Sequence, residues 1–292
     1  MSSPVRRAFL LLRQHFLLIS GPWLVVCAAG FAVLKVVQQI MSRMYPVFDT
    51  RTLRGMGHQQ MNAAVLTSQR ANFIRLGAIE CVAVLEGAFE VLALAVMVLL
   101  VARIAAQGED TVAAALGRLR NIPGVAGTLL KFYAIALAIG LGTMVIAILP
   151  AFLIVPMRLS LHWPFQIVRW VTWISAEAGT LLFVCCVMPF LLDAVWRLQR
   201  PESPDEDAPP GLLARAIGYG VVAICIEIAV RLPSRLLQAS LPHTPGTGPS
   251  IGQYAFGLAT VLLTALPAIV CIVAITLLVM SAEERVEVES AA

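Results

Sequence analysis

Apolar runs of about twenty residues recur along this whole chain, and at 1.5 Å rise per helical residue each is long enough to cross the hydrocarbon of a bilayer. No other feature constrains the fold so strongly. Hydrocarbon offers no water, so backbone N–H and C=O groups must pair within the protein, which leaves only helices and closed barrels. The runs are continuous rather than alternating, and their length specifies helices. Composition agrees: the chain is 59% hydrophobic and 13% charged, against roughly half and a quarter in soluble domains. The expected fold is all-α, a polytopic transmembrane helix bundle of six spans with interfacial amphipathic helices. It forms a single integral membrane domain over residues 1–292.

The spans fall at about 16–37, 77–103, within 125–155, within 165–196, at 211–232 and at 254–281. The third and fourth stretches exceed one straight crossing, so Pro150 and Pro189 predict a kink and an interfacial turn in each, and Pro267 predicts a bend in the sixth. "HQQMNAAVLTSQRANFIRL" predicts an extension of the second helix beyond the bilayer. "QGEDTVAAALGRLRNIPG" has an acidic start, an apolar face and a basic end, which suits a short helix lying in the interface. "QRPESPDEDAPPG", 199–211, reads as a solvated linker, and the acidic tail 282–292 as disordered. Trp163, Trp170, Trp173 and Trp196 lie near the ends of the fourth helix, as in an aromatic belt.

Basic residues sit at the ends of apolar runs, in balanced numbers on the two sides. Some, notably Arg231, have carboxylates nearby and so count less as topology signals, which favours both termini in the cytoplasm. The partners expected are membrane lipids and other membrane proteins. No basic patch with interleaved aromatics is present, so nucleic acid is not among them. The six cysteines have neither disulfide-framework nor metal-site spacing. His15, His58, His162 and His243 are scattered, and no metal, cofactor or nucleophile motif appears. No cofactor, metal or catalytic residue is therefore expected.

Chemistry concentrates in "GAIECVAVLEGAFEVLALAVMVLLVAR", where Glu80, Glu86 and Glu90 interrupt an apolar span. At 100° per residue the three fall within an arc of about 120°. Ala83 and Gly87 share that arc, while Leu85, Phe89, Leu92, Val96 and Leu99 lie opposite. Small residues permit close helix approach and large aliphatics suit lipid, so the acidic face should point inward. Antiparallel spans bring the start of the second, the start of the fourth and the end of the fifth to one leaflet. Glu86, Glu90, Glu177, Glu227 and Arg231 are the candidate intramembrane polar cluster, with Lys35, Arg158 and Arg169 at the same level. Glu227 and Arg231 are four apart with Glu first, the better order for an ion pair. Lys131 and Asp193 belong to the other face.

The stretch from Thr111 to Val168 couples an interfacial helix to a long span ending in Pro, then an R-L-S-L-x-x-P turn. This resembles bacterial six-helix inner-membrane proteins of unassigned role, related to the membrane domain fused to some glycerophosphodiester phosphodiesterases. The resemblance implies a six-helix bundle working near lipids and carries over no catalytic residue. The function expected is that of a scaffold, accessory subunit or lipid-associated envelope factor. A transporter with a one-sided carboxylate site is the alternative, and an intramembrane lipid-modifying enzyme the third.

Overall fold

The computed structural model describes residues 4–45, 58–106, 108, 110–161, 165–200, 209–240 and 251–291. Among them are seven helices and no strand: α1 (Pro4–Met44), α2 (His58–Ala105), α3 (Val112–Asn121), α4 (Val125–Leu161), α5 (Phe165–Gln199), α6 (Pro210–Ser240) and α7 (Ile251–Ala291). All but α3 are long and apolar enough to cross a membrane. The chain is a multi-pass helical membrane protein.

Several helices outrun the bilayer. α4 has 37 residues, about 55 Å of helix against some 30 Å of hydrocarbon. Neither it nor α5 contains the interfacial turn expected from length; each continues as one helix, and Pro189 and Pro267 lie inside α5 and α7. Hydrogen bonding within a membrane bundle can tolerate a proline, and a rod can project beyond lipid, so excess length does not require a turn. The break occurs instead at His15 in α1, whose φ of −125° and ψ of 30° leave the helical region. It separates a short stretch burying Ala8 and Leu12 from the apolar span. α7 extends to Ala291, through most of the tail expected to be disordered. Of the linker at 199–211, residues 201–208 lie outside those described, as does Trp163.

α3 is the expected short amphipathic helix. Thr111 caps it by accepting a hydrogen bond from the Ala114 N–H at 3.1 Å, Asp110 pairs with Arg118, and Ala115 and Leu119, one turn apart, are its buried face.

Neighbours run α1, α2, α4, α5, α6, α7 and back to α1, a closed ring, with α2 and α7 also touching across it. Burial along the ring is uneven. The core comes from the first half of α1, residues 93–101 of α2, Phe132 near the start of α4, 187–198 of α5, Leu212 and Ala216 of α6, and 269–279 of α7. Because successive spans alternate in direction, these segments all share the end that carries both termini. That end is closely packed at its centre. The other end is lined by partly exposed helix faces.

Leu85, Phe89 and Leu92 are 63%, 59% and 40% exposed, as the helical wheel places them, but Val96 and Leu99 are buried. Past residue 92 α2 enters the centre of the bundle and is covered on every side. Trp196 also departs from expectation: it is buried in the core at 2% exposure, with the Arg200 guanidinium 4.5 Å from its ring, and is no belt residue.

Glycines set the α5–α6 approach. A Cβ at Gly220 would stand 2.8 Å from Val184 Cγ1 and 2.6 Å from Met188 Cε, whereas one at Gly218 would meet nothing within 4 Å. Gly220→Ala should lower stability by about 1–3 kcal/mol through overpacking, and Gly218→Ala should raise it by about 0.5–1 kcal/mol through backbone entropy. Thermal unfolding of the two variants in detergent checks the opposite signs.

Candidate functional site

Where the ring loosens, α1, α2, α4, α5, α6 and α7 together enclose a cavity of about 700 Å³, within the size range of about 300–1,000 Å³ usual for ligand pockets. Its floor is the core itself, at Leu94, Leu191 and Ile272, each about 5% exposed or less. Its rim is Glu80 and Val84 of α2 with Leu141 and Met144 of α4, all exposed. Of the ring's adjacent pairs, α2 and α4 touch least, so the cavity meets its surroundings along that seam. Tyr133 crosses the seam: its hydroxyl donates to the Val84 carbonyl, and its ring packs beside Gly87, 3.4 Å from where a Cβ would stand.

Two of the five residues expected to form a polar cluster face this cavity, Glu90 from α2 and Glu227 from α6, joined by Glu80. Glu86 points elsewhere. Its carboxylate occupies the space a side chain at Gly30 of α1 would need, yet it remains within electrostatic reach of Glu90. Glu177 is buried on α5, at 8% exposure, just outside the cavity wall and within electrostatic reach of Glu227. Arg231 forms an ion pair with Glu227 one turn back along α6, the pairing that the four-residue spacing favours. Of the five, two line the cavity, Arg231 is paired with one of these, and Glu86 and Glu177 are each within electrostatic reach of one of them.

Other groups expected at this level are engaged differently. Lys35 donates to Gln38 at 3.1 Å and stands 5.5 Å from the Phe31 ring centre, both on α1. The side chains of Arg158 and Arg169 lie outside the described residues. Lys131 belongs to the opposite end, as expected, beside a small pocket of about 200 Å³ shared with Asp193 and Arg197, which pair at 2.9 Å. Among the described residues no group of three or more His, Cys, Asp or Glu could hold a metal ion.

Sequence reasoning missed the aromatic part of the cavity, Trp23, Phe132, Tyr133 and Phe183. The available signal was Tyr133, a hydroxyl inside an apolar run. Its partner lies on another helix, and the register between two helices is not written in either one.

Comparisons with protein-family models, curated proteins and solved structures return no match.

The Glu227–Arg231 pair makes a separable prediction. Arg231→Met, which leaves Glu227 facing the cavity alone, should cost about 1–3 kcal/mol, below the value for a fully buried pair because Arg231 retains 35% exposure. Adding Glu227→Gln should restore much of the loss. Unfolding of both single variants and the double variant in detergent measures the coupling; strictly additive effects would show that the pair contributes nothing.

Proposed function

We propose that this protein is a lipid-associated factor of a bacterial inner membrane, a binding protein without catalysis of its own, that holds one amphiphilic molecule in the cavity between its splayed helix ends. The observation carrying this reading is the cavity's construction: an apolar floor deep in the bundle, carboxylates on its wall from Glu90 near the floor to Glu80 at the rim, and a loose seam between α2 and α4. An amphiphile leaving the bilayer through that seam keeps its hydrocarbon among Leu94, Leu191 and Ile272 while its head stays near Glu80 and Glu227. Burying apolar surface contributes about 25 cal/mol per Å² between water and an apolar site, but lipid tails already sit in hydrocarbon. Selection must therefore come from shape and from the polar groups. The resemblance of Thr111–Val168 to six-helix inner-membrane proteins points the same way.

A transporter is the second reading, favoured by one observation: the cavity is floored by dry core at one end and rimmed by exposed residues at the other, as one half of an alternating cycle would be. Flux through reconstituted vesicles that depends on Glu90 would establish it, and binding without flux would leave the first reading in place.

Native mass spectrometry tests retention directly. Protein stripped gently in neutral detergent should keep one bound amphiphile, and Ala136→Trp, which fills the cavity from α4, should abolish that adduct while leaving the fold intact by circular dichroism. An adduct that is absent from the unmodified protein, or unaffected by Ala136→Trp, would count against the cavity as a binding site.

A further inference from the structure

The charge on the cavity wall selects a class of ligand. Glu80 and Glu90 of α2 and Glu227 of α6 line it, and no Lys, Arg or His is among the described residues that do. Arg231, at the cavity's edge, is engaged by Glu227. Glu86 and Glu177 stand close behind and add negative potential. A phosphate, sulfate or carboxylate head with no ammonium of its own would enter against this field with no cation among the described lining residues to meet it. In a site walled by protein and lipid such repulsion is screened far less than at a water-exposed surface.

The second observation is independent of the carboxylates. Trp23 and Tyr133 present aromatic rings to the same space, with Phe132 and Phe183. Ring faces attract cations, most strongly where water is excluded, and aromatic cages are a recurring way to bind ammonium groups. Carboxylates with aromatic rings, in a cavity whose floor is wholly apolar, complement one chemistry: a positive nitrogen on a hydrocarbon body.

We infer that the ligand of this cavity is an amphiphilic ammonium compound, its nitrogen drawn to the carboxylates and aromatic rings that line the wall and its apolar body packed against the apolar residues of the same cavity. The inference rests on the cavity's being an amphiphile site and adds the sign of the head. Neutralising one wall carboxylate weakens binding without altering the apolar part of the site. The ammonium can belong to a membrane lipid or to a free lipophilic amine, and the same experiment separates these sources.

The test is saturation binding of radiolabelled dodecyltrimethylammonium to the full chain in dodecyl maltoside, corrected for empty micelles. One saturable site is expected, with dodecyl phosphate and dodecanol at equal concentration failing to compete. Glu90→Gln should weaken binding about tenfold and Glu80→Gln about threefold, changes equivalent to the loss of one charge contact. Glu80 is exposed at the rim, so Glu80→Gln carries the test if Glu90→Gln does not fold. Competition by dodecyl phosphate or dodecanol equal to that of the ammonium compound would leave amphiphile binding standing and overturn the ammonium assignment. No saturable binding by any of the three would overturn both. Displacement by phosphatidylethanolamine but not phosphatidylglycerol supports the assignment with a lipid as the source, and displacement by neither supports it with a free amine. Equal displacement by both lipids would overturn it.

Discussion

The contact between the second half of α2 and the middle of α7 is what the rest of the bundle depends on. Both segments are close to fully buried, 93–101 in one and 269–279 in the other, and both are almost entirely aliphatic. In lipid such a contact gains nothing from expelling water. It is held by dispersion between closely fitted side chains, each atom pair weak and the sum large. Once these two rods cross the middle of the ring at one end, the other helices have a fixed core to pack upon. At the far end no equivalent contact fills the centre, and the cavity is the result.

That asymmetry accounts for where charge is tolerated. A carboxylate among 93–101 would lose every partner and all water, whereas Glu80, Glu86, Glu90, Glu177 and Glu227 occupy the end where backbone spacing is wide and helix faces are partly open. A small residue helps arrange the polar groups there: Gly30 gives the Glu86 carboxylate its place, while the Tyr133 ring packs beside Gly87. Tyr133 then spans the seam to the Val84 carbonyl. The same few residues thus keep charge out of the lipid and hold α2 beside α4.

Much of the architecture was legible in the chain because hydropathy is a local property. Six spans and the capped α3 follow from run length and from Thr111 and Asp110 before an apolar face. Rotation at 100° per residue correctly turned Leu85, Phe89 and Leu92 outward. It failed at Val96 and Leu99 because a helical wheel assumes one environment along a whole rod, and α2 passes from the bundle surface into its middle. Trp196 misled for a related reason: indoles are frequent at membrane interfaces, but this one is enclosed by core and by Arg200. The gathering of carboxylates at one end followed from alternating span direction alone. Which of them face a common space did not, since Glu86 turns toward Gly30 of α1 and Glu90 lines the cavity through offsets between helices that no single segment encodes.

The central position of α7 has a bearing on biosynthesis. It follows α1 to α6 in the chain, yet its residues 269–279 form the middle of the packed end. Until it is inserted, the inward faces of α1, α2, α5 and α6 lack a neighbour they have in the finished bundle. Packing of that end therefore waits for α7, whatever the order in which the earlier helices insert. The chamber at the opposite end acquires its floor at that moment.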